Sequence, residues 1–373
     1  MAYPKITVLI PTFNRAQFLK ECLDSILSQT LPASQVIVVN DGSTDQTRQV
    51  LEPYMKSIQY FETHQLGKPS AINYGLEKVS GDYLWIFDDD DVALPDALDR
   101  FVEPLEKHPE YGFSHSTYFY TSTQQEGHRL GAVFGELKTP DFEERGFLIP
   151  LLESNFLGGA ALFVRTSCYK QLGHFDPKLL RSQDYEMAIR IARRFKGIEV
   201  AGGPTFHYRQ HAGIRGGRQD QFVESDRFKK WLEYDQVFFR KLYLELPLTE
   251  YLPAEKSLEE HTRQALLQRM GIMASKNLVE EVMSDLHDLS RVTDRTSLSR
   301  REKIIIRDTF YYRLVCIIGY LGFFDEICRL SASSEVIRLL RKQILLEILA
   351  RFKREFNLSL IKNSLRHIYH LYF

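Results

Sequence analysis

Phe87-Asp88-Asp89-Asp90-Asp91 concentrates more chemistry than any other stretch of the chain, with four carboxylates directly after an apolar segment. Carboxylates this close repel one another unless a cation or strong donors neutralise them, and a divalent metal is the natural partner. Alternate carboxylates at a strand end can reach one hard, oxygen-preferring ion such as Mg²⁺ or Mn²⁺, which keeps its other positions for diphosphate oxygens and water. A solvated acidic turn capping the helix after Pro95 would look the same in isolation. A second polar cluster, Asn40-Asp41-Gly42-Ser43-Thr44-Asp45, combines a glycine that permits a tight turn with an aspartate able to accept hydrogen bonds from a nucleobase edge. By spacing alone it is equally a turn with an N-cap for the next helix. A third, Pro11-Thr12-Phe13-Asn14-Arg15, offers an aromatic ring that could lie against a base.

These clusters need a scaffold that brings them together. Ile6 to Ile10 and Val36 to Val39 are short β-branched runs bounded by turn residues, and Ala16 to Gln29 between them carries apolar residues at helical spacing. The alternation continues with a helix at Gln46 to Met55, a strand near Ile58 to Glu62, a helix near Ser70 to Lys78 and a strand at Tyr83 to Phe87. This pattern predicts a mostly parallel sheet covered by helices on both faces, which binds ligands beyond the carboxyl ends of its strands. All three clusters fall there. After Asp91 the pattern is mixed: a helix near Pro95 to Lys107, strands near Gly112 to Tyr120 and Ala160 to Arg165, and a helix near Asp184 to Phe195. The polar, Gly-containing stretch 121–145 reads as a mobile loop over the site. From about Gln221 onward amphipathic helical patterns replace strand signals, so the expected domains are residues 1–220 and a helical region, 221–373.

The composition is that of a globular protein: 373 residues, 44% hydrophobic and 26% charged, with a net charge of -1. Nothing in it points to nucleic acid. Four scattered cysteines without a CxxC pair suggest neither a zinc site nor a disulfide framework, and fit a reducing cytosol. The amino terminus breaks at Pro11 and does not read as a signal peptide, and the longest apolar run, Leu314 to Phe324, is too short to span a membrane.

Taken in order, I-P-T-F-N-R, N-D-G-S-T-D, Gly67-Lys68 with Ala71-Ile72-Asn73-Tyr74-Gly75-Leu76, and D-D-D-D-V-A-L-P resemble the family 2 glycosyltransferases of the GT-A fold. Asn155, Ala161 to Arg165, Gly173-His174-Phe175-Asp176, Ser182-Gln183-Asp184-Tyr185-Glu186 and Tyr208-Arg209-Gln210-His211 are similar to that family's acceptor-binding half, so the resemblance covers roughly residues 4 to 215. It departs at Asn40, where Asp is frequent, and at Gln183, where Glu is frequent. The resemblance implies a Rossmann-like nucleotide-binding half over 1–91 and an acceptor-binding half over 92–220. It implies a nucleotide-diphosphate sugar donor, with UDP favoured, held by Pro11, Thr12, Phe13, Asn14, Asp41, Lys68 and Asn73. Asp88 and Asp90 would form the Asp-x-Asp metal motif, Asp89 would contact the donor's ribose or sugar, and Asp184 would be the catalytic base.

Sugar transfer needs a leaving group stabilised on one side of the anomeric carbon and a hydroxyl losing its proton on the other. One base and no carboxylate placed as a nucleophile point to single displacement with inversion; retention is the other possibility. Asp184 could instead cap the helix that follows. His211 could complete the metal shell or be an ordinary polar residue. Gly213 to Arg218 could close over the diphosphate, with Arg215 or Arg218 as anion contact, or be a basic linker.

Residues 291–373 hold 16 Lys and Arg against 8 Asp and Glu. The favoured reading is that these helices pack on the catalytic domain or on another subunit, with their cations in solvent. The alternative lays the basic face on the cytoplasmic side of an anionic membrane, near a lipid-linked saccharide acceptor. A nucleotidyltransferase would carry a basic Gly-rich grip for a triphosphate near the first strand, where this chain has Pro-Thr-Phe-Asn-Arg. A non-catalytic carbohydrate-binding or scaffold protein would have lost its carboxylates, and Asp88, Asp90 and Asp184 are present.

Overall fold

The computed structural model describes residues 4–124, 128–211, 220, 222–293, 296–318 and 321–355, with the backbone course alone for 224, 310–318, 321–322, 324 and 347–355. The chain begins with β-α alternation: β1 (Ile6–Thr12), α1 (Ala16–Leu27), β2 (Gln35–Asn40), α2 (Thr47–Leu51), β3 (Gln59–Glu62), α3 (Lys68–Leu76) and β4 (Tyr83–Ile86). β1, β2 and β4 are buried along their whole length. Parallel strands covered on both faces require this, which is why they read as continuous apolar runs. α1 turns Phe18, Leu19, Cys22, Leu23 and Ile26 inward, one face of a 3.6-residue period.

The alternation then breaks into β5 (Val92–Ala93), α4 (Ala97–Lys107), β6 (Tyr111–His115), β7 (Phe119–Thr123), β8 (Leu130–Glu136), α5 (Leu148–Glu153), β9 (Leu162–Arg165), α6 (Thr166–Leu172), α7 (Gln183–Arg194), β10 (Lys196–Glu199) and β11 (Phe206–Gln210). Seven strands form one sheet in the order β10-β6-β9-β4-β1-β2-β3. Within it β9 is antiparallel to both its neighbours, β4 and β6, and the other pairs are parallel. Its core includes Phe163, stacked on Tyr83 and on Phe101 with centroids 5.5 and 5.3 Å apart. A smaller sheet has the order β5-β11-β7-β8.

Two expectations are corrected here. The single strand expected over Gly112 to Tyr120 is two strands, β6 in the large sheet and β7 in the small one. The expected loop over 121–145 contains the end of β7 and all of β8, paired as a hairpin. β8 gives no period-2 signal because its middle is exposed, with Val133 and Phe134 at 47% and 64%, and because it contains Gly131 and Gly135. Gly131 is needed for close approach: a β-carbon there would lie 2.4 Å from Ser122 Oγ.

The chain divides into two compact units, residues 1–141 with 154–234, and 142–153 with 235–373. The division falls inside α8 (Arg227–Glu245) rather than at 220, and the segment 142–153, read as part of the acceptor-binding half, belongs to the second unit. That unit is helical, with α9 (Leu258–Ser275), α10 (Val279–Arg291), α11 (Arg300–Ile318), α12 (Leu321–Ser331) and α13 (Glu335–Glu355). Ser299 and Glu302 begin α11 as a reciprocal capping box, Ser299 N donating to Glu302 Oε2 at 2.7 Å and Glu302 N to Ser299 Oγ at 3.2 Å. Two ion pairs cross the bundle, a buried one of Arg263 with Glu302 at 2.6 Å and a part-buried one of Arg269 with Asp285 at 2.6 Å. α13 turns Val336, Ile337, Leu340, Ile344 and Leu345 inward and leaves Arg338 and Lys342 in solvent. Among the described residues no helix is long and apolar enough to cross a membrane.

Candidate active site

Register decides what meets at the sheet's carboxyl edge. Thr12 pairs with Asn40 and Leu9 with Ile86, so the loops after β1, β2 and β4 emerge side by side. Pro11 and Thr12 are buried at the end of β1, and Phe13 beyond them is half-buried. Asn14, at φ 53°, joins two of the loops: its N–H donates to Ser43 Oγ at 2.8 Å and its Oδ1 accepts from Thr44 N at 2.8 Å. Asn40 Oδ1 accepts from Ser43 N at 3.0 Å, a turn that the frequent Asp would make equally well.

Asp41 is buried and ties β2 to the next loop. Its Oδ1 accepts from Thr63 Oγ1 (2.7 Å) and Leu66 N (2.9 Å), and its Oδ2 from Gly67 N (2.8 Å). Most of its acceptor capacity is therefore committed within the protein. Gly67 caps α3 at φ 89°, where a β-carbon would also meet Leu180 Cδ2 at 2.7 Å. The turn so fixed delivers Lys68, the first residue of α3, to the carboxylates. Asn73 has a different place from the one expected. Its Nδ2 donates to Phe175 O at 2.9 Å and its Oδ1 accepts from Phe175 N at 2.8 Å, so its amide clamps the 173–176 turn instead of facing a nucleotide sugar.

At the end of β4, Asp88, Asp90 and Asp91 each offer an oxygen within 4.8 Å of the others. Asp91 is 1% exposed; its Oδ1 accepts from Arg209 N at 2.9 Å and its Oδ2 has no hydrogen-bond partner among the described residues. A buried carboxylate oxygen with no protein donor, beside two other carboxylates, fits a hard divalent cation. Asp88 Oδ1 accepts from Lys68 Nζ at 2.6 Å. Burial alone would lower the Lys68 pKa, but Asp88, Asp184 and Asp90 together raise it, so the ammonium is kept charged. Asp89 lies 4.0 Å from Arg15 Nε; burial, then the charge of Asp90, pushes its carboxyl up to about 7.

Asp184 is the second residue of α7 and not its cap. The cap position is Ser182, held at φ 56° without a side-chain cap bond. Asp184 Oδ2 accepts from Asn155 Nδ2 at 3.4 Å. Burial raises its pKa, Lys68 opposes the shift and Asp88 adds to it. Gly159 locates the shared space: a β-carbon there would stand 3.7 Å from Asp88 Oδ2 and 3.8 Å from Asp184 Oδ2. The expected metal ligand and the expected base thus border one opening, floored by a residue without a side chain.

β11 closes the arrangement. His211 Nε2 lies 3.0 Å from Asp90 Oδ2, beside the three-carboxylate group and not within it. Arg209 is fully buried: Nε donates to Asp90 O (2.6 Å), Nη1 to His128 O (2.9 Å) and Nη2 to Glu21 Oε2 (2.6 Å). Its guanidinium also lies 5.1 Å from the Phe18 ring centroid. Sequence reading gave no role to Asp91, Arg209 or Glu21. Asp91 carried a signal only as a member of the four-carboxylate run and Arg209 only within the Tyr-Arg-x-His match; Glu21 carried none. Arg215 and Arg218, the expected diphosphate contacts, lie outside the described residues.

Residues 7–172 match the family model described as Glycosyl transferase family 2. An uncharacterized glycosyltransferase of Rickettsia typhi is 30% identical over 191 residues, covering 51% of this chain and 59% of the relative, so the chain spans less than two thirds of that protein's length. Two solved structures share the fold. S. aureus TarS 1-349 in complex with UDP-GlcNAc has a TM-score of 0.51 at 15% identity, covering 95% of this chain and 92% of its own. The mannosyltransferase PcManGT of Pyrobaculum calidifontis, in complex with GDP-Man and Mn²⁺, has a TM-score of 0.52 at 16% identity, covering 87% and 88%. With the ordered motifs, the sheet topology and the carboxylate edge all in agreement, residues 7–172 are a domain of the family 2 glycosyltransferase type, on a GT-A fold.

Proposed function

We propose that the protein transfers a sugar from a nucleotide-diphosphate sugar to an acceptor hydroxyl on a glycan, lipid-linked saccharide or other glycoconjugate, by metal-assisted single displacement with inversion. The observation that carries this reading is the convergence of Asp88, Lys68 and Asp184 around Gly159. Asp88, Asp90 and Asp91 would hold Mn²⁺ or Mg²⁺, which when bound screens the negative charge developing on the diphosphate. His211 holds Asp90 at the edge of that group and is the residue that would complete the shell. Lys68 supplies a fixed cation on the leaving-group side. Asp184 takes the acceptor's proton as its oxygen attacks; burial makes it a stronger base than an exposed aspartate. The loops carrying Pro11 to Asn14 and Asp41 hold the nucleotide, with Phe13 against the base and Asp89 toward the ribose or sugar. TarS and PcManGT, with UDP-GlcNAc and GDP-Man, support this class of donor; we favour UDP as the nucleotide.

A screen of nucleotide sugars for Mn²⁺-dependent thermal stabilisation and hydrolysis tests the reading. A true donor at a hundred times its Kd should stabilise the fold by about 2.7 kcal/mol. Stabilisation only by nucleoside triphosphates, with release of pyrophosphate, would overturn it. If the acceptor is lipid-linked, the basic helices after residue 291 lie on an anionic membrane surface on the cytoplasmic side, and equal recovery from anionic and neutral liposomes by flotation refutes that contact.

A further inference from the structure

The small sheet has one aromatic face. Side chains alternate along a strand, so Phe206 and Tyr208 on β11 share a face, as do Tyr120 on β7 and Tyr118 just before it, whose ring centroids lie 5.3 Å apart. Tyr208 pairs directly with Tyr120 across the strands, and their ring centroids lie 6.1 Å apart. On the other side Phe134 of β8 stacks on Tyr120 at 6.2 Å and 27°. Burial is graded across this face: Phe206 and Tyr118 are buried, Tyr208 and Tyr120 half-buried, and Phe134 is 64% exposed. An exposed phenylalanine continuing a row of tyrosines contributes little to the core, whereas a ligand with an apolar face would use it.

The location of this face is fixed at two points. Phe206 packs edge-on against Phe87, the residue before Asp88, with centroids 6.0 Å apart. A β-carbon on Gly158 would lie 3.8 Å from Tyr118 Cε1, and the next residue, Gly159, borders both Asp88 and Asp184. The aromatic row therefore begins beside the opening between metal ligand and base and runs outward along the sheet. It is neutral, unlike the Lys68 and Arg15 side of the site, so its chemistry does not suit a diphosphate. A pyranose matches it: its axial C–H face suits aromatic rings, and its rim hydroxyls would stay free for solvent and for the base.

We propose that Tyr120, Tyr208 and Phe134 form the acceptor subsite and take the apolar face of a pyranose, so that the acceptor is a saccharide and not a small polyol or a protein hydroxyl. The proposal rests on the glycosyltransferase reading above. Saturation-transfer NMR with the methyl pyranosides of glucose, galactose, mannose and N-acetylglucosamine tests it, in Mn²⁺ with UDP or GDP and with glycerol and myo-inositol as comparisons. At least one pyranoside should receive saturation at its axial C–H protons. Tyr120→Leu with Phe134→Leu, which keeps apolar bulk but removes both rings, should weaken that binding roughly tenfold. Phe134→Trp should retain it. Unchanged pyranoside binding in the double variant overturns the proposal, as does binding of nucleotide and Mn²⁺ with no pyranoside bound. Failure of the unsubstituted protein to bind any nucleotide with Mn²⁺ overturns the glycosyltransferase reading instead.

Discussion

Arg209 makes a quantitative demand on this structure. Replacing it by Met removes three charge-assisted hydrogen bonds, to Asp90 O, His128 O and Glu21, and leaves a fully buried position without its donors. Breaking a buried ion pair by deleting one partner costs about 3–5 kcal/mol. Glu21 is 34% exposed and regains water once Arg209 is gone, which places the expected loss at the lower end, about 3 kcal/mol. For a domain of this size that lowers Tm by about 6–12 °C. Arg209→Lys keeps the charge but cannot reach all three acceptors, and should lose roughly half as much. Arg209 also fixes the main chain of Asp90 and, through its own N–H, the carboxylate of Asp91. Mn²⁺ affinity should therefore fall about 10–100-fold, as it does when groups that orient metal ligands are removed. Calorimetric melting with and without Mn²⁺ measures both effects. A melting point within about 2 °C of the parent, or an unchanged Mn²⁺ affinity, refutes the assignment of Arg209 as the clamp on the carboxylate turn.

Asp184→Asn should preserve nucleotide binding by calorimetry and reduce transfer about 10²–10⁴-fold; wild-type turnover would remove Asp184 from the chemistry. Burial raises the Asp184 pKa and the base acts deprotonated, so kcat/KM should rise with pH along an acid limb lying above the ordinary aspartate value of about 3.9. Because Lys68 opposes that shift, Lys68→Met should move the limb to higher pH, and a shift to lower pH would contradict the site's electrostatics. At Gly159 an Ala fits, since its β-carbon meets Asp88 and Asp184 at ordinary contact distances. Gly159→Val adds methyls that enter the shared opening, so Val should lose most activity at an unchanged Tm; equal activity of the two variants would place the reacting atoms elsewhere.

The sequence made the first half of the sheet legible because β1, β2 and β4 are buried on both faces and carry unbroken apolar runs. It did not disclose β5, β8, β10 or β11. β5 has two residues, and the central residues of β8 face solvent. β10 and β11 lack unbroken apolar runs, and in β11 the only buried positions are Phe206 and the charged Arg209. In the site, Asp88, Asp90, Lys68 and Asp184 were expected from type and order, and the structure brings Lys68 to Asp88 and sets Asp88 and Asp184 beside Gly159. Asp91 was hidden by its place in a run where alternate carboxylates seemed sufficient, and its importance lies in an unpartnered oxygen that only packing reveals. Nothing in the type of Asn73 discloses that its amide clamps the backbone of Phe175.

β9 lies between β4 and β6 although it follows β6 by about fifty residues in the chain. During synthesis on the ribosome, β1 to β4 can assemble as soon as they emerge, but β6 has no seat until residues 162–165 arrive. Until then the nascent chain displays β4, a wholly apolar strand with one side open, in the geometry that recruits a neighbouring chain. Expression of fragments ending before residue 162 should therefore give aggregates, and slower elongation would lengthen the interval in which a chaperone must cover that edge.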